Sequence, residues 1–290
     1  MKCLVTGGSG FLGSYVADEL TRKGHEVTIF DKKLSKWKKS NQKMITGNLL
    51  NYSLLKKVIK GKDIVFHFAA LSDIGESLNQ PIKTIKYNIL ATTYVLELCK
   101  IYKIKRLIHA STIYVNSEQG GFYRSSKKAA EDYIEEYHKR FKLNYTILRF
   151  GSIYGSRSGK YNGVNMIINN ALQNNEISYV GSRKTIREYL HVTDAAKATV
   201  SVLEKKYKNQ HIIVTGKDKI KLPDFLNFLK IILKTKKKIK FIKKKLVGHY
   251  IYSPYSYIPK VGKKIKIKKE LNFKKEINNL INEIKNNKNL

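Results

Sequence analysis

Apolar residues in the first half of the chain fall into two alternating patterns. Short runs rich in β-branched and aromatic residues recur at Lys2–Thr6, Glu26–Phe30, Asp63–Phe68, Arg106–Ala110 and Asn144–Arg149, and longer segments between them repeat apolar positions at steps of three and four. Runs of the first kind predict strands and segments of the second predict amphipathic helices. Their alternation predicts an α/β chain with a parallel sheet and crossover helices. Ile82, Ile85, Ile89, Thr92, Leu96 and Cys99 mark one helix over Ile82–Cys99, and a second is predicted over Tyr123–Phe141. Past Gly155 the alternation becomes irregular, although His211–Val214 still reads as a strand returning to the sheet. The later chain is therefore expected to form a second lobe woven from discontinuous pieces.

The first predicted strand runs directly into Thr6-Gly7-Gly8-Ser9-Gly10-Phe11-Leu12-Gly13, which opens a predicted helix. Gly7 permits the tight turn, Gly10 lets backbone amides approach a pyrophosphate, and Gly13 lets the helix pack closely on the strand. Asp31 closes the second predicted strand 18 residues after Gly13. A carboxylate there accepts both adenosine-ribose hydroxyls and repels a 2′-phosphate, which favours NAD over NADP. Lys32 and Lys33 follow at once and partly offset that repulsion, so NADP stays open as the lesser alternative.

Tyr123-Arg124-Ser125-Ser126-Lys127 places a tyrosine and a lysine four apart, one turn apart on a single helix face. A phenol with an ordinary pKa of about 10 is a poor base at neutral pH, but an adjacent ammonium and an oxidised nicotinamide favour its phenolate. Lys127 also reaches toward the nicotinamide ribose. A third hydroxyl is expected at the end of the strand near Ala110, where open α/β sheets place their sites, and both Ser111 and Thr112 qualify.

These motifs resemble the extended short-chain dehydrogenase family of NAD-dependent nucleotide-sugar epimerases and dehydratases, most closely its UDP-hexose 4-epimerase branch. The spacing G-x-x-G-x-x-G is that family's variant of the glycine loop. Ser111-Thr112-Ile113-Tyr114-Val115 is similar to the family segment S-T/S-x-x-V, which assigns the catalytic hydroxyl to Thr112 and leaves Ser111 a strand-end hydrogen bond. His67-Phe68-Ala69-Ala70-Leu71, followed by Ile74-Gly75-Glu76-Ser77, Pro81 and Asn88, resembles H-F-A-G-L with V-G-E-S, P and N. That match implies that Phe68, Ala69 and Ala70 adjoin the cofactor, that Ser72 and Ser77 face the sugar, and that His67 is structural. Gly47-Asn48-Leu49 stands where the family carries Gly-Asp-Ile or Gly-Asp-Leu against adenine, with Asn48 keeping the acceptor but not the charge. Ser152 replaces a usual asparagine in L-R-x-x-N-x-Y-G, and Arg187 matches the arginine that grips the nucleotide diphosphate, with Arg183 a second candidate.

The resemblance covers roughly Lys2 to Asp194, with weaker similarity near Lys268–Phe273. It implies a Rossmann doubly wound parallel sheet with a smaller C-terminal substrate-binding lobe, divided as 1–155 with 186–216 returning, against 156–185 with 217–290. It further implies a homodimer through the two long helices, and a nucleotide-sugar substrate. Dehydrating relatives follow the catalytic threonine with an Asp-Glu pair, where this chain has Ile113 and Tyr114, so chemistry limited to C4 is expected. Only seven residues, Asn116 to Phe122, separate Val115 from Tyr123, where most relatives carry a longer excursion that shapes the sugar pocket. A reductase that consumes NADH or NADPH at a 4-keto sugar, and a dinucleotide-binding protein without catalysis, are the alternatives.

Composition changes this picture little. With 290 residues and 42% hydrophobic content, the chain can bury one large core with a smaller lobe attached. The formal charge of +35 raises the question of nucleic acid, but only 8 of the 57 basic residues are arginine, the usual forked phosphate reader. Between Asp224 and Glu270 stand 15 lysines and no acid, a stretch that favours anionic substrates or weak contact with acidic surfaces. Cys3 and Cys99 have no metal-ligand spacing and read as small buried hydrophobes, and no metal is expected. The glycine turn comes too early for a secretory signal and no apolar run approaches the roughly 18 residues of a membrane span, so the cytoplasm is the expected compartment.

Overall fold

The computed structural model describes residues 1–159, 162–173, 176–234, 238–242, 249 and 251. From the N-terminus run β1 (Lys2–Thr6), α1 (Phe11–Arg22), β2 (Glu26–Asp31), β3 (Lys43–Thr46), α2 (Tyr52–Ile59) and β4 (Ile64–His67). There follow α3 (Ile74–Asn79), α4 (Pro81–Ile85), a π turn (Lys86–Leu90), α5 (Ala91–Ile101), β5 (Arg106–Thr112) and α6 (Gly121–Phe141). The later chain contributes β6 (Tyr145–Phe150), β7 (Ser152–Tyr154), α7 (Gly163–Gln173), β8 (Ser178–Val180), β9 (Ile186–His191) and α8 (Val192–Ser201). Last come β10 (Gln210–Val214), β11 (Lys219–Lys221), α9 (Leu222–Ile232) and β12 (Lys240–Ile242).

Seven strands form one sheet in the order β10-β6-β5-β4-β1-β2-β3, and every pairing in it is parallel. Both faces of such a sheet must be covered, and the side chains divide accordingly. Leu4, Val65, Leu107 and Ile147 pack with Leu55, Ile59, Val95, Leu98 and Ile134 on the side of α2, α5 and α6. Val5, Val27, Ile29, Phe66, Ile108 and Leu148 pack with Val16, Ala17, Leu20, Ala195 and Val200 on the side of α1 and α8. A doubly wound Rossmann-type sheet results, its strands all pointing their C-terminal ends to one edge.

A smaller third core gathers Ile167, Ala171, Ile177, Leu222, Leu226 and Leu229 from α7, the residue before β8, and α9. Beside it, β9 pairs with β7 in parallel and with β11 antiparallel, and β12 pairs with β8. Residues 186–191 therefore belong to a small sheet, and the return to the large one is made by α8 and β10. The weak similarity near Lys268–Phe273, and most of the Lys-rich stretch, lie outside the described residues.

One sequence expectation fails in an instructive way. Ile82 and Ile85 were expected on a buried stripe, yet they are 70% and 54% exposed, and the inward positions are Thr84, Asn88, Thr92, Val95, Leu96 and Cys99. The π turn adds a residue to one helical turn and re-phases the face. Asn88 supplies the reason. Its Oδ1 accepts from Leu71 N at 2.7 Å and its Nδ2 donates to Leu71 O at 3.0 Å and to Ser126 Oγ at 2.9 Å, joining the loop after β4 to α6. A buried amide with both ends satisfied outweighs the exposure of two isoleucines. Among the described residues no helix is long and apolar enough to cross a membrane, and Cys3 and Cys99 are buried free thiols.

Candidate active site

A cleft of about 1050 Å³ opens at the C-terminal edge of the large sheet, where open α/β sheets bind ligands. Its first half is the glycine loop. Gly7 has φ +75°, and a Cβ there would stand 2.6 Å from Ala69 N; a Cβ on Gly13 would stand 2.2 Å from Gly7 O. Only hydrogen fits at either position, so α1 starts tight against the end of β1, with Gly10 as its N-cap and the first-turn amides aimed at the cleft. This cradle fits the pyrophosphate of a dinucleotide.

Gly7, Gly10, Phe11, Leu12, Gly13, Asp31, Asn48, Leu49, Phe68, Ala69 and Ala70 all line the cleft. The Asp31 carboxylate is held by Ser9 N at 3.1 Å and Lys33 N at 3.2 Å. Asn48 accepts from Leu50 N at 3.0 Å and donates to Tyr87 Oη at 3.3 Å, so its amide orientation is set by its neighbours. His67 lies beneath, wholly buried between the Thr6 hydroxyl at 2.8 Å and the Thr92 hydroxyl at 3.1 Å.

Thr112, Tyr123 and Lys127 meet where β5 ends against the first turns of α6. Gly120, at φ +97°, and Gly121 turn the chain into α6 and bring Tyr123 under the strand end. The Tyr123 phenol is hydrogen-bonded with Thr112; burial nevertheless pushes it up to about 12. The Lys127 ammonium donates to Ala110 O at 2.8 Å. Burial lowers it to about 8, with Glu131 opposing. Glu131, a further turn along α6 and fully buried, accepts from Ser111 Oγ at 2.5 Å and from Arg149 Nη2 at 2.6 Å. The Ser111 hydroxyl is thus engaged by Glu131, leaving Thr112 as the strand-end hydroxyl beside the phenol.

The far end of the cleft is assembled from remote segments. Ser72, Ser152 and Arg187 line it, together with residues of α7 and β8 and Ile242. Ser77 does not. It is fully buried and donates its hydroxyl to Ile74 O at 2.8 Å within α3, so the expectation that it faces the sugar is corrected. Arg183 is directed elsewhere as well, its guanidinium 4.6 Å above the Phe241 ring. Two lining residues escaped sequence reasoning. Tyr114 was read only as an absent carboxylate, and His249 lies in a Lys-rich stretch without periodicity; their side chains meet at 3.2 Å.

A model of the NAD dependent epimerase/dehydratase family matches residues 3–216. A dTDP-D-glucose 4,6-dehydratase of Dictyostelium discoideum is 32% identical over 241 residues, covering 70% of this chain and 56% of that protein, so the chain spans little more than half of this relative. Among solved structures, the UDP-glucose 4-epimerase of Thermotoga maritima with UDP-glucose superposes with a TM-score of 0.79 at 25% identity, covering 87% of this chain and 89% of that one. The UDP-glucuronic acid 4-epimerase of Bacillus cereus, in complex with UDP-glucuronic acid and NAD, gives 0.78 at 26% identity over 90% and 95%.

Proposed function

The chain belongs to the NAD-dependent epimerase/dehydratase family, and from that premise we propose that it epimerises C4 of a nucleotide sugar of the UDP-hexose type through a transient 4-keto sugar. It is an NAD-dependent enzyme. The observation that carries the C4 reading is the meeting of Thr112, Tyr123 and Lys127 at the strand end, followed by Ile113 and Tyr114 instead of carboxylates.

The Tyr123 phenolate takes the proton of the C4 hydroxyl, and Thr112 shares the hydrogen bond and fixes its direction. NAD, when bound, supplies the hydride acceptor and a positive ring beside the phenol. Lys127, still mostly protonated at pH 7 with its pKa near 8, places a second positive charge one helical turn away, and both charges counter the burial that raises the phenol. The same ammonium holds the nicotinamide ribose, Asp31 the adenosine ribose, and Arg187 the diphosphate. Elimination at C6 would need a group to remove the C5 proton and an acid to protonate the leaving hydroxyl. Ile113 is buried and has no proton to exchange, and no carboxylate follows Thr112, which favours chemistry limited to C4.

Purified protein given a panel of UDP- and dTDP-hexoses, with no cofactor added, is expected to yield C4 epimers with neither loss of water nor solvent deuterium at C5. Tyr123→Phe is expected to lower kcat by about 10³ and keep its NAD. A 4-keto-6-deoxy product, or near-normal turnover by that variant, refutes the reading. Product only with added NADPH selects the 4-ketoreductase, and no turnover with dinucleotide bound selects the non-catalytic alternative.

On this reading the large sheet with its flanking helices, α8 and β10 included, serves the cofactor, and the third core with its small sheets, β7 and β9 included, serves the substrate. The quaternary part of the proposal is a homodimer. Ile82, Ile85 and Leu90 near one long helix, and Phe122, Tyr133 and Phe141 on α6, leave apolar surface exposed that a paired copy would cover. Sedimentation at micromolar concentration showing only a 33.4 kDa species would exclude it.

A further inference from the structure

His249 is an ionisable residue in the cleft to which the C4 chemistry gives no task. Its Nδ1 lies 3.2 Å from the Tyr114 hydroxyl, and the two rings meet edge to face, 6.3 Å between centroids at 78°. Tyr114 is itself fixed relative to the reacting groups. Its backbone N–H donates to Thr112 Oγ1 at 3.3 Å, opening the tight 3₁₀ turn Ile113–Asn116 at the catalytic hydroxyl.

Burial, first, and then the charge of Arg187 lower the pKa of His249, with Asp73 opposing. The ring is therefore neutral at neutral pH. A phenol is a much stronger acid than a neutral imidazole, so Tyr114 donates to Nδ1 and the ring's own proton resides on Nε2. The pair is an uncharged donor–acceptor unit.

Among the described residues, the charges around the pair already have partners or an assigned ligand. Lys83 stands 2.8 Å from Glu76. The Asp73 carboxylate accepts from Glu76 N at 2.6 Å at the start of α3 and borders the cleft. Arg187 is the cation assigned to the diphosphate. Once a diphosphate engages it, a carboxylate on the sugar would enter beside Asp73 and a second anion, with no described cation at this end left to meet it. A hydroxyl or hydroxymethyl group can instead exchange hydrogen bonds with a neutral phenol–imidazole pair without burying charge.

We propose that the Tyr114–His249 pair, backed by Asp73, selects uncharged hexoses over hexuronates at the sugar end of the cleft. The inference rests on the nucleotide-sugar reading above but does not require the C4 reaction. The solved neighbours include one with UDP-glucose and one with UDP-glucuronic acid, so the shared fold holds either kind of sugar and side chains of this sort decide between them.

Calorimetric titration of the NAD-loaded protein at pH 8 with UDP-glucose, UDP-glucuronate and UDP tests it. UDP-glucose is expected to bind at least about tenfold tighter than UDP-glucuronate. His249→Lys should tighten UDP-glucuronate and bring the ratio near one, and Tyr114→Phe should weaken UDP-glucose several-fold. Unchanged affinity for UDP in both variants serves as the control for folding. Wild-type protein that binds UDP-glucuronate equally or more tightly overturns the proposal, as does a ratio that neither variant moves. If none of the three ligands binds, the nucleotide-sugar reading falls and the inference with it; binding in the expected order without turnover upholds the inference and removes only the C4 reaction.

Discussion

The glycine loop between Gly7 and Gly13, joining a strand end to the helix start that follows it, lines the cofactor half of the cleft. The other half, proposed for the substrate, draws Ser72, Tyr114, Ser152, Arg187, Ile242 and His249 from separated segments. Burial follows the same division. In β1, Cys3 through Thr6 are completely enclosed, whereas all six residues of β9, Arg187 among them, are only half-buried. The cofactor half is thus specified by backbone sterics within a few residues, and the substrate half by packing between pieces distant in the chain. Damage to the first should cost fold and cofactor together, and damage to the second should cost substrate affinity alone.

Gly13→Ala is the strongest test of that division. Its Cβ would meet Gly7 O at 2.2 Å and Gly7 C at 2.8 Å, backbone atoms that cannot rotate away. A stability loss of about 3 kcal/mol and loss of co-purifying NAD are expected together in chemical denaturation and in chromatography of the denatured supernatant. Retention of stoichiometric NAD would break the comparison. In the other half, Arg187→Met is expected to raise KM by about 10- to 100-fold, the worth of a charge-assisted contact of about 1.5–3 kcal/mol. Its kcat and NAD content should stay near wild type, and a parallel fall in NAD content would show that the halves are not separable.

The smallest effect concerns acid. Burial holds His67 at about 3 and His109 well below its ordinary value, aided by the charge of Lys127. Both imidazoles are therefore neutral in the fold, whereas in the unfolded chain they take up protons below about pH 6.5. Their contribution is present above that pH and is lost as pH falls from about 6.5 through the folded values. Urea denaturation at pH 7.5 and 6.0 should differ by about 1.5 kcal/mol, each of the two imidazoles giving about half. His109→Leu should reduce the difference, since neither ring nitrogen of His109 has a hydrogen-bond partner among the described residues. An unchanged difference in that variant would show that the acid sensitivity arises elsewhere.

Much of this molecule was legible from short-range rules. Strands β1, β2, β4, β5, β6 and β10 follow from their β-branched runs. The spacing of Gly7, Gly10 and Gly13 states what the backbone can approach, and the interval from Tyr123 to Lys127 places both on one helical face. Each of these depends on atoms a few residues apart, so local sterics and periodicity determine them. Packing decided the rest. The face of the Pro81–Ile101 segment was set by Asn88 satisfying Leu71 and Ser126, and Ser77 was turned inward onto Ile74. One partner of Tyr114 is a histidine 135 residues away. No pattern in the sequence marks that pairing, because it exists only after both segments are packed against the same cleft and the remaining hydrogen bonds have been shared out among the groups buried there.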